Sequence, residues 1–117
     1  MGDEVAIKRQ LNIKTGVVKR LTKETGMYVK EAQEQQTKLD KATAEGQDEW
    51  DVKNQQRILQ DCAQMIPDSQ RRLEAAVEDL EIYLEGLDSD LVESEEAKGA
   101  QEAVKLAKAS SSTDAAA

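Results

Sequence analysis

The sequence of 117 residues contains no histidine, and this absence excludes several kinds of catalytic site. Without histidine there is no Ser-His or Cys-His pair, no histidine general base and no catalytic zinc site of the usual kind. The single cysteine, Cys62, cannot form a disulfide within the chain, so nothing indicates an oxidising compartment. No phosphate-binding glycine loop or EF-hand loop is present. We therefore expect no catalytic residue, no metal site and no cofactor, and we predict that the protein is not an enzyme.

Aromatic residues are also scarce, at 3% of the chain, and phenylalanine is missing altogether. Sandwiches and barrels draw their cores from aromatic and β-branched residues, so this composition argues against an all-β fold. The 34% of charged residues and the abundance of Ala, Leu, Glu, Gln and Lys favour helices. No apolar run approaches the roughly 20 residues that span a bilayer, and the first ten residues lack a signal-peptide core. We predict an all-α, cytoplasmic protein without a membrane partner.

The charge is unevenly distributed along the chain. Residues 1–30 carry a net charge of +4, the remaining residues carry −12, and the whole chain carries −8. Nucleic-acid binding depends on neutralising phosphates with basic side chains. An acidic protein is poorly suited to that task, so we expect no nucleic-acid partner.

A seven-residue apolar period predicts a first helix over residues 4–43. Two stripes repeating every seven residues form the a/d seam of helices that pack along their length. The seam consists of Leu11, Val18, Thr25, Ala32 and Leu39 at one position, and Ile7, Lys14, Leu21, Tyr28, Gln35 and Ala42 at the other. Gly46 can end this helix in the left-handed conformation, and Asp48 can cap the next one.

The second predicted helix, over residues 48–86, has the most regular pattern. Its seam is Val52, Leu59, Ile66, Leu73, Leu80 and Leu87, with Gln55, Cys62, Ser69, Ala76 and Tyr83 as companions; Ile58, Met65, Val77 and Leu84 widen it. The period continues through Pro67 without a change of phase. A helix that ended there would restart in register only by accident, so we predict one long helix kinked at Pro67.

A third helix is predicted over residues 90–109, with Asp88, Ser89 and Asp90 as competing N-caps and a thin alanine-rich face that includes Leu106. Residues 110–117 have nothing to bury, and we predict that they form a disordered tail. Together the segments predict a single domain over residues 1–109. It is an elongated three-helix bundle with left-handed, coiled-coil-like packing, and its two long helices are each about 60 Å long.

One outward face of the first helix is a candidate binding surface. The residues on it are Arg9, Ile13, Gly16, Arg20, Lys23, Met27 and Lys30. Ile13 and Met27 are apolar residues at positions where solvent is expected, and a mixed basic and apolar stripe suits recognition of an acidic protein. An ordinary charged surface, or a surface covered by the third helix, explains the same pattern. Gly16 and Gly26 likewise indicate either tolerated surface glycines or the close approach of a partner.

Three sequence blocks carry a resemblance to a known family. They are Ile13–Leu21 (IKTGVVKRL), Tyr28 followed by Lys30–Ala32, and Met65–Ala76 (MIPDSQRRLEAA). Together these blocks resemble tubulin-binding cofactor A, and the likeness extends over about residues 8–87. The resemblance implies a cytosolic chaperone that captures β-tubulin folding intermediates after their release from chaperonin and holds them before assembly with α-tubulin. It implies a monomer or weak homodimer, associated with the cytoskeleton and linked to the other tubulin-folding cofactors indirectly.

Residues and resemblance together give a candidate protein-binding site. It comprises Ile13, Arg20, Lys23, Met27, Asp68, Arg71 and Arg72. β-Tubulin is acidic, so we expect the basic residues to attract it and the two apolar residues of the first helix to supply burial. Arg72 lies beside the seam, where bracing of the bundle is an alternative role. The competing hypothesis for the whole chain is a structural helical-bundle interaction module, either regulatory or an oligomerising coiled coil.

Overall fold

In the computed structural model, every element is a helix. The structure describes the backbone of residues 2–116 and the side chains of residues 3–110. Helix α1 spans Gly2–Ala44, α2 spans Glu49–Glu85, α3 is a short helix over Ser89–Val92, and α4 spans Glu95–Ala116. No strand occurs within residues 2–116, which confirms the prediction of an all-α fold.

The molecule is a rod with principal extents of 67 × 21 × 16 Å. Its radius of gyration is 19.6 Å, whereas a compact domain of this length has a radius of about 13 Å. The 43 residues of α1 extend about 65 Å at 1.5 Å per residue. The longest helix therefore sets the length of the whole molecule.

The heptad seams predicted for the two long helices are the surfaces on which these helices pack. Every predicted seam residue of α1 and α2 is buried or half-buried. Leu11, Val18 and Leu80 are fully covered. The prediction that Ile58 and Met65 widen the α2 seam is wrong, because both side chains are exposed.

Three polar contacts show that α1 and α2 run antiparallel. Near one end, Lys14 Nζ donates to Asp79 Oδ2 at 2.6 Å. Further along, the hydroxyls of Thr25 and Ser69 lie 2.6 Å apart. Towards the other end, the Gln35 amide donates to the side chain and the carbonyl of Gln55. Residue numbers rise along α1 as they fall along α2, so the two helices form a long hairpin.

The hairpin turn has the geometry that the glycine at position 46 predicts. Gly46 has φ of +70°, a left-handed conformation that costs little only in glycine. The Gln47 amide donates to the Ala42 carbonyl at 3.1 Å, and the Gly46 amide donates to the Thr43 carbonyl at 3.2 Å. These bonds form a Schellman motif at the end of α1. Asp48 is the N-cap residue of α2, but its side chain makes no capping hydrogen bond.

The third predicted helix, over residues 90–109, is two helices in the structure, with a break between Val92 and Glu95. Asp88 is the N-cap residue of α3, without a side-chain bond. Ser94, which the sequence analysis did not single out, caps α4: its Oγ accepts from the Ala97 amide at 3.2 Å and donates to the Leu91 carbonyl at 2.6 Å. A serine in this position satisfies an otherwise unpaired amide of the first turn.

The helical backbone of α4 continues through Ala116, beyond the predicted helix end at residue 109. The disorder of residues 110–117 stays a prediction. No proline or glycine interrupts this alanine- and serine-rich end, so nothing in the local sequence stops the helix. The side chains beyond Ser110, and Ala117 entirely, lie outside the described residues.

Helix α4 packs on both long helices through small residues. Leu106, which is predicted to belong to the apolar face of this helix, is exposed. The buried side chains of α4 are those of Ala97, Ala100, Ala103, Val104 and Ala107. These buried side chains of α4 form one core with residues of both long helices, namely Leu11, Val18 and Leu21 of α1 and Leu73, Val77 and Leu80 of α2. Lys108 of α4 bonds Glu81 of α2 at 2.8 Å. Small side chains let α4 sit deep in the groove between the long helices.

The core occupies only one half of the rod. We call residues 26–68 the two-helix half, and the remainder of the bundle the three-helix half. Within the two-helix half the only buried side chains are those of Gln35 and Ala42. Every α1 and α2 member of the core shared with α4 lies in the three-helix half.

Pro67 lies inside α2, and the helix continues on both sides of it. This agrees with the prediction of one long helix rather than two. A proline in this position removes the hydrogen bond to the Ala63 carbonyl. The kink itself stays a prediction.

We predict that replacing Thr25 by valine lowers the free energy of unfolding by about 1–2 kcal/mol. The Thr25 hydroxyl donates to the Leu21 carbonyl, so the Ser69 hydroxyl must be the donor between the two, and valine deprives it of its acceptor. The double variant Thr25→Val/Ser69→Ala should lose less than the sum of the two single variants. Urea denaturation of all four proteins measures this coupling, and strictly additive losses would contradict it.

Candidate protein-binding surface

The part of the chain that the structure describes contains no cluster of metal-ligating side chains. Among its residues, no group of three or more Cys, Asp and Glu side chains is placed to hold a metal ion. The half-buried Cys62 lies on the helix seam, as its position in the heptads predicts. No helix among the described residues is long and apolar enough to cross a membrane. The predicted binding residues lie on the outer faces of the two long helices.

Four of the predicted binding residues lie on the outward face of α1. Ile13, Arg20 and Met27 are spaced by seven residues and therefore follow one stripe, and Lys23 is adjacent to it. About half of the surface of Ile13 and of Met27 is exposed, and Lys23 is exposed too. Helix α4 therefore does not cover this face, which removes one of the alternatives that the sequence left open.

Arg20 has only a weak partner within the protein. Its Nε lies 3.9 Å from the Glu24 carboxylate, one helical turn further along α1, and its side chain is 66% exposed. Exposed ion pairs of this kind contribute about 0–1 kcal/mol. The arginine can therefore exchange Glu24 for a carboxylate of another molecule at little cost.

The three predicted residues of α2 form a cluster of their own. Arg72 Nη2 lies 2.6 Å from one carboxylate oxygen of Asp68, and Arg71 Nη2 lies 3.7 Å from the other. Both guanidinium groups are exposed to solvent. Arg72 thus pairs with its own helix, so the alternative role as a brace between helices is not observed.

The cluster of α2 lies at the same height on the rod as the stripe of α1. Thr25 contacts Ser69 directly, and Ser69 is the neighbour of Asp68. Arg72 is seven residues from Asp79, which contacts Lys14, so both belong to the stripe of α2 that borders α1. The predicted site residues of both helices therefore share one region near the middle of the rod.

This region lies on the side of the hairpin away from α4. On α2, the residues that face α4 are Leu73, Val77 and Glu81, which line one surface depression together with Ala107 and Lys108. In a heptad, that stripe and the stripe of Arg72 and Asp79 lie on opposite sides of the seam. A partner bound at the predicted residues thus meets α1 and α2.

A rod of helices with an exposed basic and apolar face belongs to the class of helical protein-binding modules. The comparison with known proteins is more specific. The family model for tubulin binding cofactor A matches residues 6–104, and the chain belongs to this family.

Individual relatives agree with this assignment. The human tubulin-specific chaperone A is 54% identical over 101 residues, which are 84% of this chain and 93% of the relative. The human tubulin chaperone cofactor A structure superimposes with a TM-score of 0.78 and 50% identity, covering 87% of this chain and 98% of that one. The crystal structure of tubulin folding cofactor A from Arabidopsis thaliana gives a TM-score of 0.83 at 34% identity, covering 90% and 98%.

We predict that Gly16→Ala raises the free energy of unfolding by about 1 kcal/mol, because alanine is the better helix former. A Cβ at Gly16 would meet no atom within 4 Å, so no clash offsets the gain. Urea denaturation measures the effect, and Gly99→Ala in α4, where a Cβ also meets nothing, is the matched comparison. A loss of stability in Gly16→Ala would contradict the open surroundings of this glycine. Partner binding by the stabilised variant separates a tolerated surface glycine from a site of close approach.

Proposed function

We propose that this protein is a chaperone of tubulin folding that captures β-tubulin intermediates and holds them before they assemble with α-tubulin. Membership of the tubulin binding cofactor A family carries the proposal. Relatives from human and Arabidopsis thaliana are named a tubulin-specific chaperone and a tubulin-folding cofactor. Holding a folding intermediate needs an extended surface and no consumption of energy, and a rod 67 Å long offers such a surface.

The mechanism we propose is surface binding without catalysis. The basic residues Arg20, Lys23, Arg71 and Arg72 orient the acidic β-tubulin, since charge complementarity increases the rate of encounter. Asp68 pairs with the two arginines of α2, and Ile13 and Met27 supply apolar contact area. No nucleotide or metal takes part in these steps. The protein acts in the cytoplasm, in association with the cytoskeleton, as a monomer or weak homodimer, and reaches the other tubulin-folding cofactors only through β-tubulin.

Co-elution on size-exclusion chromatography tests the proposed function. The protein is mixed with β-tubulin released from chaperonin, and separately with assembled αβ-tubulin as the control. We expect a complex with β-tubulin alone. No complex with folded protein and competent β-tubulin would contradict the proposal and favour a structural helical-bundle module.

We predict that Arg20→Glu/Lys23→Glu weakens β-tubulin capture by about tenfold at low salt and by less at high salt, because the lost attraction is screened by ions. Both side chains are exposed, so the helix content and the unfolding transition should stay close to those of the original protein. Titration of labelled β-tubulin at two salt concentrations measures the change.

The matched control is Lys98→Glu/Lys105→Glu, which makes the same change of charge on exposed residues of α4. We expect a smaller effect from it, since α4 packs on the side of the hairpin away from the face of Arg20. Equal losses in the two double variants would mean that net charge, and not the face of Arg20, attracts β-tubulin. Unchanged affinity in the first variant would remove that face from the site.

A further inference from the structure

Large apolar side chains are exposed on α2 as well as on α1, and the sequence analysis did not assign those of α2 to any binding site. On α1 they are Ile13 and Met27, and on α2 they are Ile58, Met65 and Ile82, each between 37% and 61% exposed. The other large apolar side chains that are exposed within residues 3–110 are Val5, Trp50 and Leu106. Five of these eight residues therefore belong to three stripes of the hairpin, one on α1 and two adjacent ones on α2.

The register of the hairpin brings these five residues to the same side. Ile58 and Met65 continue the stripe of Arg72 and Asp79 at intervals of seven, and Ile82 is fourteen residues from Asp68. Where two antiparallel helices pack along a shared seam, the stripe that flanks the seam on one helix lies next to the stripe that flanks it on the same side of the other helix. The five residues thus lie on the side of the hairpin that α4 leaves uncovered.

The cross-helix contacts give the order of these residues along the rod. Lys14 contacts Asp79, so Ile13 and Ile82 lie within about one turn of the same height. Thr25 contacts Ser69, which brings Met27 and Met65 to a common height about 20 Å further along. Arg20 and Arg72 lie between the two apolar pairs. We name the set of Ile13, Ile82, Arg20, Arg72, Met27 and Met65 the uncovered face.

The charge of the uncovered face indicates what can cover it. The chain as a whole has a net charge of −8. On this face, Arg20 and Arg72 lie between the apolar pairs, and Asp79, on the stripe of Arg72, is paired with Lys14. The carboxylate partners of the two arginines, Glu24 and Asp68, are on the same helices and are exposed. A second copy of the chain, bound about a twofold axis, would bring the same arginines together, and like charges oppose that arrangement. A partner with apolar side chains flanked by carboxylates is complementary.

We infer that the uncovered face is the principal docking surface for the β-tubulin intermediate, with Met65 and Ile82 of α2 as apolar anchors alongside Ile13 and Met27. This inference rests on the proposed function, because it takes the partner from there. It adds that α2 contributes apolar burial as well as charge. It also assigns to α4 a supporting role, since α4 packs on the opposite side and fixes the relative positions of the two long helices.

The test is the double variant Met65→Ser/Ile82→Ser, measured by titration of labelled β-tubulin released from chaperonin. We expect the affinity to fall about tenfold or more, as for anchors near the centre of an interface. The matched control is Val5→Ser/Leu106→Ser, which removes two exposed apolar residues from outside the uncovered face. It should bind as the original protein does. Circular dichroism and urea denaturation establish that each variant is folded.

A conservative variant, Met65→Leu/Ile82→Val, keeps the apolar surface and should retain binding, even if the serine variant loses stability. Original affinity in the folded serine variant would overturn the inference and leave the proposed function intact. So would a greater loss in the Val5 and Leu106 control. Failure of the original protein to bind β-tubulin would overturn both proposals. Sedimentation of the protein alone tests whether a second copy of the chain occupies the face. A dimer that the serine variant abolishes would show that the face binds a second copy and would overturn the inference.

Discussion

The seam between α1 and α2 is the contact on which the rest of the structure depends. It runs along both helices and creates the groove in which α4 lies. Most of its positions are apolar, but Thr25 with Ser69 and Gln35 with Gln55 place polar pairs within it. A pair of helices held only by apolar residues can slide by one heptad with little loss of burial. Buried polar pairs oppose such a shift, because a slipped register leaves their hydrogen-bonding groups without partners.

The fixed register has a direct effect on the candidate site. The predicted binding residues come from two helices, and a slip of one heptad would separate Arg72 from the height of Arg20 by about 10 Å. Neither helix alone contains the whole surface. The polar pairs of the seam, which are not among the predicted site residues, thus fix the relative positions of those residues.

Much of this architecture could be predicted from the sequence, because it follows from local pattern. The heptads identified the buried side of both long helices, and Gly46 identified the turn between them. The sequence did not predict that Ile58 and Met65 are exposed. Both residues flank the seam in the two-helix half, where only α1 and α2 pack together and no third helix among the described residues covers the flanking positions. Nor did it predict the break at Ser94, since its cap depends on a hydrogen bond and not on periodicity. The Arg20 stripe was predicted, but its height relative to Arg72 requires the cross-helix contacts.

The limited length of α4's contact has a consequence for the motions of the rod. Local opening of a helix costs less where fewer side chains are buried, and in residues 26–68 only Gln35 and Ala42 are buried. Backbone amides should therefore exchange with solvent more readily near the hairpin turn than beside Leu11 and Leu80. The rod has one end of fixed shape and one end that bends at lower cost. The uncovered face crosses the boundary between these two ends, because Ile13 and Ile82 lie beside the buried core whereas Met27 and Met65 lie in the two-helix half. One surface therefore joins a rigid part of the rod to a part that bends more readily.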